Sequence, residues 1–260
     1  AVSAYLDHIE PVLAPDAMLL WLCEPDESFH WTAIGSPQSL QTIRHADAEF
    51  GRILERLASA LDRGDMQIVA MSDHGQVSVE GPPLDLVGQF GAAGIRASRT
   101  SMEGADCVVS IANAGGIWVR DRDAGLTERI VSFLLEQPWC GPLFTRDGVL
   151  GTLSQDLVML NHARAPDISV VLRAGEGQNR HGIAGASVHD SPYPDGGGCH
   201  GGLSQWELHN VLVLGGAAFR SGVEIALPAG NADILPTVFA ATGLAVPDGL
   251  DGRVLHEALA

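Results

Sequence analysis

Short uninterrupted apolar runs alternate with amphipathic segments along this chain, and that alternation restricts it to a layered α/β fold. Ala17-Met-Leu-Leu-Trp-Leu-Cys23, Met66-Gln-Ile-Val-Ala-Met71 and Asn210-Val-Leu-Val-Leu-Gly215 read as buried strands of a mostly parallel sheet. After the first run, Ser36 supplies a helix cap and Pro37 a first-turn proline. Leu40, Ile43, Phe50, Ile53, Leu54, Leu57 and Leu61 then recur at nearly helical spacing. They predict one long amphipathic helix ending near Arg63-Gly64.

Cys107 to Ala112 and Gly116 to Val119 form an expected hairpin, turned at Asn113-Ala-Gly115. A helix is expected over Leu126 to Glu136, a strand over Asp167 to Leu172 and a helix over Asp233 to Thr242. A short amphipathic piece, Val254 to Leu259, closes the chain. Residues 174–205 are rich in Gly, Ser, His and Asp and read as a long functional loop. No repeat or linker interrupts the pattern, so a single domain over residues 1–260 is expected.

Composition narrows the function classes. With 46% hydrophobic and 18% charged residues the chain supports a core and is not a disordered segment. Its apolar runs fall far short of the ~20 residues of a membrane helix, and no signal peptide is visible. The formal charge, 15 − 32 = −17, argues against a nucleic-acid polymer as partner. A small anionic substrate stays open, because bound cations invert the local field. Cys23, Cys107, Cys140 and Cys199 form no C-x-x-C pair, and scattered thiols favour a reducing, cytoplasmic compartment.

Metal-type residues gather in three places. Asp26 and His30 stand four apart, Asp73 and His74 follow an apolar run, and His200 sits among glycines. Carboxylate and imidazole together suit zinc or a similar divalent ion. Open α/β sheets bind ligands beyond the carboxyl ends of their strands, where Asp26 and Asp73 would lie. Each cluster also has a plain reading as a cap, a hydrogen-bonded turn or a flexible loop. His189, beside Asp190, is a further candidate for contact with substrate.

The string Trp21-Leu-Cys-Glu-Pro-Asp26-Glu-Ser-Phe-His30, with Ser72-Asp73-His74-Gly75 and His200-Gly-Gly, resembles the type I phosphodiesterase/nucleotide pyrophosphatase branch of the alkaline phosphatase superfamily. Asp233-Ile-Leu-Pro-Thr237 and Pro247-Asp-Gly-Leu-Asp-Gly252 resemble its C-terminal pattern. The resemblance implies an α/β/α sandwich, of which this chain would be the C-terminal portion, with the N-terminal part missing. It implies that Asp26, His30 and His200 hold one zinc, while Asp73 and His74 contribute to a second. The Thr or Ser nucleophile of the family has no match here and is expected upstream of Ala1.

The implied activity is hydrolysis of phosphodiester or nucleotide pyrophosphate bonds through a covalent phospho-enzyme, with a small phosphorylated or nucleotide substrate. A phosphomonoesterase or phosphonate hydrolase would use the same metal ligands. A third reading is an inactive metal-binding fragment that lacks the nucleophile. No membrane partner is expected, and the sequence does not address oligomeric state.

Overall fold

The computed structural model describes residues 1–260. Twelve strands run in the order β1 (Gln67–Met71), β2 (Val77–Val79), β3 (Ala97–Ser98), β4 (Cys107–Ile111), β5 (Ala114–Val119), β6 (Cys140–Thr145), β7 (Leu153–Ser154), β8 (Ile168–Leu172), β9 (Ala174–Gln178), β10 (Ala184–Ser187), β11 (Gly198–Cys199) and β12 (Leu212–Gly216). The chain divides into two compact units. One holds residues 1–22, 44–73 and 210–260; the other holds residues 23–43 and 74–209.

In the first unit β1 and β12 pair antiparallel, with Val69 opposite Leu214. Their apolar runs predict buried parallel strands; they form a two-stranded ribbon instead, and Val213 remains exposed. The helix Pro37–Asp62 matches its sequence pattern: Ser39 N–H donates to the Ser36 hydroxyl at its start, and Gly64, at φ +76°, follows its end. Its Ile53 and Leu57 are buried in a small cluster with Val2 and Tyr5. Residues 231–233 and Ile234–Ala241 form the expected helical segment near the end of the chain.

The run Ala17 to Cys23 departs from expectation. It joins no strand ladder, and Leu19 and Trp21 are 84% and 62% exposed. Apolarity alone does not make a strand. The run needs a neighbour to take up its backbone hydrogen bonds, and no sheet of this chain reaches it. No helix in the chain is long and apolar enough to cross a membrane.

The second unit contains two sheets. The six-stranded sheet has the order β3-β4-β5-β8-β6-β7 and is antiparallel except at its two edges. The expected hairpin is its centre, with Val109 opposite Ile117, and the turn falls at Ala112-Asn113. Val109, Ile111, Ile117, Ile168 and Val170 bury one face against Ile130 and Leu134 of the helix Ala124–Leu135. The other sheet has the order β11-β2-β10-β9. The expectation of a mostly parallel sheet is therefore corrected. Only β2–β10, β3–β4 and β6–β7 pair parallel, and every other neighbouring pair is antiparallel. The glycine-rich 174–205 segment, expected as loop, supplies β9, β10, β11 and the start of the short helix Gln205–Leu208.

Candidate metal centre

The centre is built on three short elements of the second unit. The helix Asp26–Trp31 places Asp26 and His30 one turn apart on one face. Glu24 fixes its start, accepting hydrogen bonds from Ser28 N–H at 3.1 Å and from the Ser28 hydroxyl at 2.9 Å. A carboxylate there meets the unsatisfied amides of the first turn.

The second and third elements are β2 and β11. They pair antiparallel, with Val77 opposite Cys199 and Ser78 opposite Gly198. His74 shortly precedes β2 and His200 directly follows β11, so this register carries the two imidazoles to one end of the ladder. Their rings stack with centroids 3.6 Å apart. Gly75 is required at the turn, since a Cβ there would lie 2.3 Å from the Trp206 carbonyl oxygen and 2.4 Å from that of His209.

Three imidazoles surround the Asp26 carboxylate. Its Oδ2 lies 3.5 Å from His30 Nε2, and its Oδ1 lies 3.6 Å from His200 Nε2 and 3.9 Å from His74 Nε2. One ligand atom each from Asp26, His30 and His200 falls within 4.8 Å of the others. Tetrahedral zinc with ligands at about 2.0–2.1 Å sets its donors about 3.4 Å apart, so the N, N, O set fits such an ion. His30 is buried, and its Nδ1 lies 2.9 Å from the Gly198 carbonyl oxygen. An Nδ1–H donated to that carbonyl leaves the Nε2 lone pair facing Asp26.

Two residues outside the sequence motifs support this arrangement. Gln76 donates from its side-chain amide to Asp26 Oδ1. Glu207, only 3% exposed, holds the loop after His200. It accepts from Gly202 N–H at 2.7 Å, the Ser204 hydroxyl at 2.6 Å and Asn113 Nδ2 at 2.6 Å. Asn113 Oδ1 in turn accepts from the Cys199 thiol at 3.1 Å. Burial pushes that thiol's pKa up, which fits a packed residue and not a ligand. The spacing Ser204-x-x-Glu207 is a capping box and was the signal available in the sequence.

Asp73 lies in the first unit, where its carbonyl oxygen accepts from Asn231 Nδ2 at 2.6 Å. The cluster within the second unit is thus Asp26, His30, His74 and His200. His189 is fully buried: Nε2 lies 3.0 Å from the Gly81 carbonyl oxygen and Nδ1 2.8 Å from the Ser191 hydroxyl. With both nitrogens engaged inside the protein it ties the 189–193 segment to Gly81. Tyr193 reaches the centre, stacking on His30 with centroids 4.4 Å apart, and Trp31 meets Tyr193 edge-on.

Residues 1–120 match the family model described as type I phosphodiesterase / nucleotide pyrophosphatase. No curated protein matches the chain. Among solved structures, an inactive variant of murine ectonucleotide pyrophosphatase/phosphodiesterase 5 in complex with AMP aligns with TM-score 0.71 at 14% identity. The human ectonucleotide pyrophosphatase/phosphodiesterase 5 aligns with TM-score 0.70 at 15% identity. Each alignment covers 100% of this chain and 64% of the other. A variant of the alkaline phosphatase PafA aligns with TM-score 0.64 at 15% identity, over 90% of this chain and 46% of that one. The fold is alkaline-phosphatase-like, as in these solved structures, and the chain spans about 64% of the length of the first of them.

Proposed function

We propose that this chain, with its alkaline-phosphatase-superfamily fold and its type I phosphodiesterase pattern over residues 1–120, forms the metal-binding part of a hydrolase of phosphodiester or nucleotide pyrophosphate bonds. One observation carries the reading. The ligand atoms of Asp26, His30 and His200 converge within 4.8 Å, with Nδ1 of His30 anchored to a backbone carbonyl.

Asp26, His30 and His200 would hold one divalent cation, zinc by donor set; on the family resemblance alone, Asp73 and His74 would contribute to a second. Bound there, such ions supply positive field against phosphoryl oxygens and lower the pKa of an attacking hydroxyl. The chain's own part is placement. Glu24 sets the helix that aims Asp26 and His30, and Glu207 fixes the loop that carries His200. The nucleophilic hydroxyl that would form a covalent phospho-enzyme is assigned to no residue here. The AMP complex of the murine relative supports a small phosphorylated substrate.

Zinc titration of the chain, alongside hydrolysis of bis-p-nitrophenyl phosphate and p-nitrophenyl phosphate, tests the reading. Zinc binding that His200→Ala abolishes, with diester cleaved faster than monoester wherever turnover occurs, is the expected result. A strong monoester preference would move the assignment to a phosphomonoesterase. A folded chain that takes up no zinc would overturn it.

A further inference from the structure

Gln76 stands directly before β2, and its side-chain amide nitrogen donates to Asp26 Oδ1. A carboxylate only accepts, so the nitrogen of the amide must face it and Oε1 must point away. That Oε1 is buried and takes no hydrogen bond. A buried acceptor without a donor is costly, and an apolar side chain of the same length would avoid the cost. What the amide gains in return is its contact with Asp26.

Gly198 makes the room for it. A Cβ on this residue of β11 would lie 1.8 Å from Gln76 Oε1 and 3.1 Å from Phe29 Cβ. Its φ lies outside the left-handed region, so space and not backbone freedom asks for glycine here. The carbonyl oxygen of the same residue lies 2.9 Å from His30 Nδ1. One glycine therefore serves both candidate ligands of the helix Asp26–Trp31. Its carbonyl sets the His30 ring, and its missing side chain admits the amide that meets Asp26.

Asp26 has need of such a partner. Its side chain is 41% exposed, so packing alone does not fix it, and the terminal torsion of a carboxylate is broad. Its two oxygens face different imidazoles, Oδ2 toward His30 and Oδ1 toward His200. We infer that Gln76 is a positioning residue: in the space left by Gly198, it fixes the rotation of the Asp26 carboxylate, so that a bound cation takes one of its oxygens and not both. The inference rests on the reading of Asp26, His30 and His200 as metal ligands.

The test titrates the chain with Zn²⁺, by competition against a chromogenic chelator, and with Co²⁺, whose visible spectrum reports coordination number. Gln76→Met keeps the length of the side chain and removes the donor. Zinc affinity is expected to fall about 10–100-fold. The cobalt band is expected to weaken, as the freed carboxylate binds through both oxygens and four-coordination gives way to five. The metal-free variant is expected to be at least as stable as the unaltered chain, because the orphaned Oε1 is gone. Gly198→Ala, which leaves Gln76 in the sequence and displaces its amide, is expected to shift the cobalt spectrum in the same direction. An unchanged cobalt spectrum in Gln76→Met, whatever its affinity, would overturn the inference and leave the metal centre standing, and this variant decides the matter even if Gly198→Ala fails to fold. A folded, unaltered chain that binds neither ion would overturn the metal-centre reading and the inference with it.

Discussion

His74 and His200 lie face to face, ring centroids 3.6 Å apart and planes 15° apart, because β2 and β11 pair in a single register. A one-residue slip of either strand would turn its imidazole to the opposite face and part the two rings. His200→Ala should therefore act on metal binding and not on folding. Zinc affinity is expected to fall more than about 100-fold, beyond the roughly 10–100-fold typical of losing an outer hydrogen-bond partner. Competition against a chromogenic chelator reads this directly. Loss of less than about tenfold would remove His200 from the ligand set.

Gly75 offers a sharper structural test. An added Cβ would strike the carbonyl oxygens of Trp206 and His209, which are backbone atoms and cannot swing aside. Gly75→Ala should cost about 1–3 kcal/mol in chemical denaturation. Gly91, in the helix Leu86–Ala92, is the matched control, because a methyl added there would meet nothing within 4 Å. Gly91→Ala should be neutral or stabilising by about 0.4–1 kcal/mol.

Glu207 joins the loop after His200 to Asn113 at the hairpin turn. Removing it strands the Gly202 amide and the Asn113 amide without acceptors. Glu207→Ala should destabilise the chain by about 2–4 kcal/mol and weaken zinc binding as well. Glu207→Gln, which keeps the shape and one acceptor oxygen, should recover part of both losses. If stability falls and zinc affinity is untouched, the loop does not depend on this anchor.

Acid stability should depend on two ion pairs. Hydrogen bonds from Arg96 hold Asp106 down at about 2, and those from Arg253 hold Glu257 down at about 2. A carboxyl whose folded pKa is depressed contributes stability above its unfolded pKa and loses it as pH falls through the folded value. Denaturation midpoints should therefore drop between about pH 4.5 and pH 2, and Asp106→Asn should flatten part of that slope. Both arginines are substantially exposed, so added salt should shrink the effect.

Thiol chemistry separates the cysteines. Cys23 is exposed, while Cys107, Cys140 and Cys199 are buried. Burial pushes Cys107 and Cys140 up to about 11, which leaves almost no thiolate at neutral pH. An aromatic disulfide reagent should titrate one thiol rapidly in the native chain and all four in denaturant. Rapid reaction of a second thiol would contradict the packing of the sheet.

The sequence signals that proved legible were local ones. Ser36-Pro37 and the apolar spacing after it give the helix Pro37–Asp62, and the Asp26–His30 spacing gives two ligand candidates on one helical turn. What pairs with what was hidden. The run Ala17 to Cys23 has the composition of a buried strand, yet it is exposed and unpaired in any ladder. Val77–Val79, fully buried, is too short to register as a period. The glycines around His200 read as loop, although Gly198 and Cys199 form the strand that brings His200 to His74. Gln76 carries no chemical signature of its own, and its hydrogen bond to Asp26 follows only from that pairing.

The pairing of Ser78 with Gly198 also bears on how such a chain can change over generations. Everything between those two residues, the whole six-stranded sheet included, leaves and returns at one pinned point of the backbone. Closing a long excursion costs little more than closing a short one. Away from Asn113, which holds Glu207 and Cys199, from β10, which pairs with β2, and from Tyr193, which stacks on His30, this stretch can lengthen or shorten while His74 and His200 keep their places. The metal ligands are tied to the intervening stretch at those few places, and change is freest in the segments between them.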